Sequence, residues 1–414
     1  MKRIRYTKVC FSVLKMCALG LLCGLLGGVV GALFSHLLAA VTKTREAAPW
    51  IILLLPVGGV ATVALYRAFR MSDYGGTNEI IRCLAKGSPI RAIAAPLIFV
   101  STAITHLFGG SAGREGAAIQ IGGAGASALA SALRLKDDER AALIMSGMSA
   151  VFAGVFGTPL TATFFILEFK TSGKLVSLAS LPCLISAAVA AKVSSLMGVA
   201  KEAVLLQNVP AFSLAGIAKI LVLAVGVSLL GTIMCHIFHK SEQLAKKLVS
   251  NAFLRAAIGA VAVAALTAAI GDMRYNGSGM GMALAAVEGR AEWFDFILKI
   301  VFTAVTLAAG FKGGEIVPTF CIGATFGCVL GGILGMDAGF AAALGLVGLF
   351  CCATNSLVSA VFLGVEMFGG VILPYMILVC VVIWPLSAKK GLFCNRVFTS
   401  PIFGKREAGK SIKL

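Results

Sequence analysis

Long uncharged stretches are the feature that most constrains how this chain folds. Five runs contain no Asp, Glu, Lys or Arg: residues 92–113, 141–167, 316–336, 338–365 and 367–388. Each reaches or exceeds the roughly 20 residues that cross a bilayer as an α-helix. Only 13% of the 414 residues are charged, well below the roughly 25% of soluble domains. The chain is therefore predicted to be an all-α polytopic membrane protein.

The distribution of basic residues predicts the topology. Lys and Arg total 36 against 18 Asp and Glu, a formal net charge of +18. Such an excess in a soluble protein would suggest nucleic acid as a partner. Here basic residues precede the first apolar run and follow the last one, so the positive-inside rule predicts that both termini are cytoplasmic. The apolar stretch 16–41 is too long for the core of a signal peptide, and we expect it to be a helix.

An internal repeat divides the chain. Residues 101–105 are echoed by residues 302–306, and the turn containing Glu115 is echoed by the turn containing Glu315. Two further echoes, at 121–122 and 162–168, keep nearly the same offset of about 200 residues. We therefore predict two structural halves, residues 1–200 and 201–400, followed by a basic cytoplasmic tail, 401–414. Glycine-broken helices at matching positions of two halves are typical of secondary transporters and channels with a site at the membrane midplane.

Glu115 is the principal candidate for a functional side chain. It lies between Gly113 and Gly116 in a region without another acidic residue from 80 to 136. An ionisable group inside a membrane indicates function by default, and burial favours its protonated form. The alternative interpretation is a helix N-terminal carboxylate stabilised by free backbone N–H groups, with Arg114 as a surface partner.

Three motifs, in the same order along the chain, resemble the CLC family of chloride channels and anion/proton antiporters. Residues 113–122 (GREGAAIQIG) are similar to the turn that carries the family's gating glutamate, which corresponds to Glu115. Residues 156–168 resemble a helix of the dimer interface, and residues 313–327 (GGEIVPTFCIGATFG) resemble the anion-binding turn of the second half. The resemblance extends over residues 10–400 and implies a CLC-type fold with two inverted halves of tilted and broken helices.

The resemblance also implies a site. The anion would be held by several helix N-termini near the membrane centre, where free N–H groups favour negative charge. Glu115 and Glu315 are the expected gating and proton-coupling residues. The expected anion-binding residues come from four segments of the chain: Gly113, Arg114 and Gly116; Gly75, Gly76, Thr77 and Asn78; Gly314, Ile316 and Val317; and Phe393.

Departures from the chloride-type pattern favour the bacterial fluoride/proton antiporter branch. The loop at 74–80 lacks the Gly-Ser-Gly-Ile-Pro pattern whose serine contacts chloride, and Thr77 is its nearest hydroxyl. Glu315 stands where chloride-type members have an aliphatic or aromatic residue, and Phe169 replaces the inner proton-transfer glutamate. Phe393 replaces the pore tyrosine and lacks its hydroxyl. Glu315 has a second interpretation as a cap of the helix that begins after it, and Glu168 is interpreted as structural.

The leading hypothesis is a homodimeric fluoride/proton antiporter of a bacterial inner membrane, with one anion pathway in each subunit. A chloride channel or chloride/proton exchanger of the same fold is the first alternative. An organic-solute carrier is disfavoured because its apolar runs contain few polar residues, and a membrane enzyme because no catalytic or metal-binding constellation is visible. We expect no cofactor and no nucleotide-sensing domain; the partners would be fluoride or chloride, protons and the lipid bilayer.

Overall fold

The structure is a computed structural model that describes residues 2–86, 88–169, 173–204, 206, 208–387 and 391–393. Within these ranges the secondary structure consists of sixteen α-helices and two 3₁₀ helices, Pro49–Leu54 and Gly370–Ile372. The α-helices are α1 Lys2–Ala47, α2 Leu55–Ala68, α3 Thr77–Lys86, α4 Ala94–Phe108, α5 Glu115–Ala132, α6 Asp137–Phe156, α7 Pro159–Leu167, α8 Gly173–Leu196, α9 Leu214–Leu248, α10 Ala252–Ile270, α11 Met280–Val287, α12 Asp295–Ala308, α13 Ile316–Ile333, α14 Ala338–Thr354, α15 Leu357–Phe368 and α16 Leu373–Leu386. The predicted tail 401–414 lies outside the described residues.

The helices confirm the prediction of a polytopic membrane protein. Seven helical segments of the described chain are long and apolar enough to cross a bilayer, including the predicted first helix. The segments Val13–Ala47 and Leu214–Leu248 each contain 35 residues, or about 50 Å of helix at 1.5 Å per residue. Helices longer than the roughly 30 Å hydrocarbon layer tilt or extend beyond it, in agreement with the tilted helices expected.

Two uncharged runs that are long enough to span the membrane are broken in the structure. The run 141–167 divides between α6 and α7, and the run 338–365 divides between α14 and α15. Gly157 (φ 69°) and Asn355 (φ 55°) terminate the longer helix in the left-handed conformation, which glycine and asparagine adopt most readily. Pro159 then begins α7, since proline suits the first turn of a helix. Run length alone does not show these interruptions.

The short helices α7 and α15 connect the two halves by a reciprocal arrangement. Glu168, which follows α7, accepts hydrogen bonds from the N–H groups of Val358 and Ser359 in the first turn of α15, at 2.9 and 3.1 Å. Glu366 in α15 accepts from two N–H groups in the first turn of α7 at 2.9 and 2.8 Å, and from the Thr161 hydroxyl at 2.6 Å. Phe164 and Phe362 stack between them with ring centroids 4.7 Å apart. The carboxylates satisfy N–H groups that have no intrahelical acceptor, in agreement with the structural interpretation of Glu168.

Glycine pairs hold the two site-bearing helices against the core. A Cβ atom at Gly122 of α5 would overlap the carbonyl of Gly147 in α6. The equivalent pair in the second half is Gly323 of α13 and Gly345 of α14, with the same consequence. Small residues allow the close backbone approach on which helix packing in membranes depends. These contacts fix the starts of α5 and α13 relative to the buried helices α6 and α14.

Candidate anion site

The turns before α5 and α13 meet directly. Gly113 N–H donates to the Gly314 carbonyl, and Gly314 N–H donates to the Gly113 carbonyl, both at 2.7 Å. This antiparallel bridge brings together the turns that the sequence repeat relates. The first N–H groups of each helix have no acceptor within their own helix. The N-termini of α5 and α13, each of which favours negative charge, therefore lie side by side.

The Glu115 carboxylate fills the space between these turns. Glu115 is fully buried; its Oε1 accepts a hydrogen bond from Arg114 N–H at 3.0 Å, while Oε2 has no hydrogen-bond partner among the described residues. A Cβ atom at Gly113 would lie 2.5 Å from Oε2, and one at Gly314 would overlap the same oxygen. The Gly314 position requires glycine, because a Cβ atom there would also lie 2.8 Å from Gly116 N. The carboxylate occupies a place where an anion could meet the N–H groups of both turns.

The Arg114 side chain is paired away from that space. Its guanidinium forms an ion pair with Glu202, in the segment between α8 and α9, and lies 5.1 Å from the centroid of the Phe156 ring. Although Arg114 and Glu115 are adjacent in the sequence, the Arg114 guanidinium pairs with the Glu202 carboxylate. The expected contribution of Arg114 to anion binding stays a prediction, and the geometry favours its backbone over its side chain.

Glu315 occupies the residue before α13, but its side chain makes no capping hydrogen bond. Its carbonyl oxygen accepts from Thr319 N–H at 3.0 Å and from the Thr319 hydroxyl at 2.8 Å. The side chains of Ile316 and Val317, the first residues of the helix, are buried. The capping interpretation of Glu315 thus has no side-chain hydrogen bond to support it.

The loop before α3 lies beside the same turns. Gly76 has a φ of +63°, and α3 begins at Thr77. A Cβ atom at Gly116 would lie 3.4 Å from the Thr77 hydroxyl and 3.3 Å from Gly314 Cα. Asn78 next to it carries a buried Oδ1 without a hydrogen-bond partner. The structure therefore brings together three of the four segments predicted to form the site.

Gln120 is a site residue that sequence reasoning missed. Its side chain is buried, its Nε2 donates to the Thr77 hydroxyl at 3.4 Å, and its Oε1 has no hydrogen-bond partner. The signal was present, because Gln120 is the first polar side chain after Glu115 in an otherwise apolar run. Its contact with Thr77 could not be predicted from the sequence, because it depends on how α5 packs beside the start of α3.

Phe393, the fourth predicted segment, belongs to a buried aromatic cluster. Its ring lies edge-on to Phe169 at 5.6 Å and 6.2 Å from Phe165. The cluster continues from Phe165 to Phe350 (5.4 Å) and from Phe350 to Phe320 in α13 (5.5 Å). The described ring contacts of Phe393 are thus with the aromatic cluster that leads to α13.

These features define a class of protein: a helical membrane protein with inverted halves, in which paired helix N-termini surround a buried carboxylate. Residues 58–384 match the model of the voltage gated chloride channel family. That match includes the Glu115 and Glu315 turns and most of the chain. The chain belongs to this family.

Relatives and solved structures agree with that assignment. A chloride/fluoride channel protein of Pseudomonas syringae pv. tomato is 34% identical over 92% of this chain and 86% of its own length. The H(+)/Cl(-) exchange transporter ClcA of Vibrio campbellii is 25% identical over 90% of this chain and 85% of its own length. The crystal structure of a CLC-type fluoride/proton antiporter superposes with a TM-score of 0.89 at 33% identity, covering 94% of this chain and 98% of that one. A slow cyanobacterial Cl⁻/H⁺ antiporter shares the fold at a TM-score of 0.77 and 18% identity, over 90% and 94%.

Proposed function

We propose that this protein exports fluoride across a bacterial inner membrane in exchange for inward-moving protons. The observation that carries the proposal is the position of Glu115, fully buried between two hydrogen-bonded helix starts with one carboxylate oxygen unpartnered. When charged, this carboxylate competes with an anion for the same N–H groups. When protonated, it loses the charge that the helix N-termini attract, and an anion can replace it.

The anion-binding groups follow from that geometry. The N–H groups at Arg114 and Gly116 would face the anion from the start of α5, and those at Ile316 and Val317 from the start of α13. The backbones at Gly113 and Gly314 would line the site and hold the two starts together, because their N–H groups are bonded to each other's carbonyls. The loop Gly75–Asn78 would contribute the Thr77 hydroxyl, which would lie 3.4 Å from a Cβ atom at Gly116. Phe393 would close the inner side through its aromatic cluster, and Glu315 would exchange protons beside the anion path.

Fluoride is favoured over chloride by two kinds of support. Glu315 stands in the proposed anion-binding turn. The similar solved structure is that of a fluoride/proton antiporter, and the similar Pseudomonas protein is named a chloride/fluoride channel protein. The alternative is a chloride channel or chloride/proton exchanger of the same fold. An exchanger with an inner proton-transfer glutamate is disfavoured, because Phe169 at that position is buried against Phe165 and Phe393.

The proposed topology has both termini in the cytoplasm, with the halves meeting between α8 and α9. If α1 begins inside and crosses the membrane, α2 returns and ends at Arg67 on the inner side, in agreement with the positive-inside rule. By the repeat, α9 ends on the same side with Lys246 and Lys247 in its last turn. The outer ends of α1 and α10 then flank the start of α11.

A homodimer is proposed from the resemblance of residues 156–168 to a dimer-interface helix. Helices α8, α15 and α16 and the 3₁₀ helix Gly370–Ile372 expose apolar side chains: Leu181, Leu184, Val358, Val371, Ile377 and Val381. Such side chains are suited to contact another subunit or lipid. Light scattering of the detergent-solubilised protein measures the molecular mass of the assembly, and a monomeric mass would exclude the dimer.

The function is tested with purified protein in liposomes loaded with fluoride or chloride, while anion efflux and internal pH are recorded together. We expect fast fluoride efflux coupled to proton uptake and much slower chloride efflux. Chloride efflux equal to fluoride efflux would reject the fluoride assignment, and fluoride efflux without proton movement would reject the exchange.

A further inference from the structure

A second polar cavity lies at the start of α11, apart from the turns that hold Glu115. It encloses about 430 Å³ and is lined by the end of α1, the loop before α11 and the start of α12. On the proposed topology it opens on the outer side of the membrane. Its charged lining residues are Arg45, Glu46, Arg274, Arg290 and Asp295.

Arg45 is a buried cation with unused hydrogen-bond donors. Its side chain is only 6% exposed, and one nitrogen donates to the His106 carbonyl at 2.9 Å. Its Nε has no hydrogen-bond partner within the described part of the chain. The nearest carboxylate is Glu46, 3.9 Å from Nη2 and 68% exposed. A guanidinium presents five donors, and burying a charge without partners is costly. Arg45 is therefore short of an anionic partner.

The other charges in the lining are already paired. Asp295 accepts from the Tyr275 hydroxyl at 2.6 Å and pairs with Arg274 at 3.0 Å. Arg290 pairs with Glu288. The Asp295 carboxylate thus has its own partners, and the charge in the cavity that still lacks a close partner is the positive charge of Arg45.

The first turn of α11 adds donors to the lining of the cavity. The N–H groups of Gly281 and Met282, near the start of this eight-residue helix, have no intrahelical acceptor, whereas the Met280 N–H donates to Ser278 Oγ at 3.4 Å. The loop before them abuts the guanidinium, because a Cβ atom at Gly277 would lie 3.0 Å from Arg45 Nη1. An anion in the cavity would therefore face a buried guanidinium and a helix N-terminus together.

The sequence repeat relates this loop to the first-half loop at the candidate anion site. Tyr74-Gly75-Gly76-Thr77 corresponds to Tyr275-Asn276-Gly277-Ser278 at an offset of 201 residues, and the helices that follow, α3 and α11, occupy equivalent places in the two halves. Inverted halves direct the two helix starts to opposite sides of the membrane. The first-half loop lies beside Glu115, whereas its counterpart lines the second cavity.

We propose that this cavity is an outer anion-binding site, which holds a small, partly hydrated inorganic anion between Arg45 and the first turn of α11. The volume is far larger than a bare halide, so water completes the anion's shell. Its outward position rests on the proposed function and topology. Arg45 binds the carbonyl of His106, and the buried Lys299 donates to Ser111 Oγ at 2.9 Å. Both contacts hold the segment that leads to Glu115, so the site adjoins the outer end of the proposed path.

Gly281 allows a matched test of this site. A Cβ atom there meets nothing within 4 Å, so side chains at this position enter open space in the cavity. Gly281→Asp places a negative charge at the helix start, where it also competes for the N–H groups, and Gly281→Asn is its neutral control of the same size. A carboxylate within a few ångströms of the anion should weaken binding about tenfold or more.

The experiment uses bromide as the probe, located by its anomalous scattering in crystals of the full-length protein. We expect a bromide peak between Arg45 and α11 in the wild type and in Gly281→Asn, and its loss in Gly281→Asp. No peak there in the wild type, or an equal peak in Gly281→Asp, would overturn the proposal. Bromide between the Glu115 and Glu315 turns is scored separately, so the outer site can fail while the proposed function stands, and the reverse.

Arg45→Gln and Arg290→Gln form a second pair, because each removes one positive charge from the same cavity. Among the described residues, the carboxylate nearest to Arg45 is the exposed Glu46 at 3.9 Å, whereas Arg290 pairs closely with Glu288. Arg45→Gln should therefore remove the bromide peak and Arg290→Gln should keep it. Arg45→Lys, which restores the charge, should recover part of it. If Arg290→Gln loses the bromide peak while Arg45→Gln keeps it, Arg290 and not Arg45 holds the anion, and the proposal is overturned.

Discussion

Replacement of Gly314 by alanine tests whether the two helix starts must touch. The new Cβ would overlap Glu115 Oε2 and would lie 2.8 Å from Gly116 N and 3.0 Å from Glu115 N. The carboxylate could rotate away, but the backbone nitrogens belong to the start of α5 and cannot move independently. The turns must therefore separate.

The cost of Gly314→Ala follows from these contacts. Overpacking costs about 1–3 kcal/mol, and weakening the two 2.7 Å hydrogen bonds between Gly113 and Gly314 adds about 0.5–1.5 kcal/mol each. We expect a destabilisation of about 2–6 kcal/mol and loss of most fluoride transport, because the N–H groups of the two turns no longer converge.

The assay compares thermal unfolding in detergent and fluoride efflux from liposomes. Gly332→Ala is the matched control, since Gly332 lies in the same helix and a Cβ there meets nothing within 4 Å. Alanine should be neutral or stabilising there by about 0.5–1 kcal/mol. Wild-type melting and wild-type efflux in Gly314→Ala would refute the close apposition of the turns.

Three further predictions follow from the same contacts. Glu366→Ala leaves two N–H groups of α7 and the Thr161 hydroxyl without their acceptor, and should lower the free energy of unfolding by about 2–4 kcal/mol. Glu366→Gln should lower the free energy of unfolding by less. If both variants were as stable as the wild type, the reciprocal arrangement would be contradicted. Glu315→Ala should keep the fold and dimer but weaken proton-coupled fluoride movement, and unchanged exchange would return Glu315 to a structural role. Gln120→Leu should slow fluoride efflux more than it lowers the unfolding temperature, because Gln120 contacts the Thr77 hydroxyl; the reverse order of effects would make Gln120 a packing residue.

The sequence was sufficient to predict the helical membrane class and the location of the paired turns. The near-constant offset between the Glu115 and Glu315 segments identified two related halves, and the hydrogen bonds between Gly113 and Gly314 join those same segments. Glycine at Gly314 is required by the backbone nitrogens of Glu115 and Gly116 that lie against it. Local patterns that recur along the chain were therefore enough to identify the two turns that meet, and the anion site between them stays a prediction.

Partners that lie far apart in the sequence were not predictable in the same way. The pairing of Arg114 with Glu202 and the capping of α7 by Glu366 depend on how the halves pack. The interruptions at Gly157 and Asn355 were hidden within uncharged runs, because hydropathy does not register a single left-handed residue. The buried cation Arg45 was likewise not singled out, since its environment is formed by α1, α4 and the loop before α11.

Glu115→Gln gives the most direct measurement of the central claim that the Glu115 carboxylate couples protons to the anion. Glutamine preserves the size of the side chain but cannot switch between charged and neutral forms. The measurement is proton uptake into liposomes under an imposed fluoride gradient, with the variant beside the unmodified protein. We predict uptake in the unmodified protein and its abolition in Glu115→Gln, whether or not fluoride continues to move passively. Undiminished proton uptake in the variant would contradict the proposed role of Glu115.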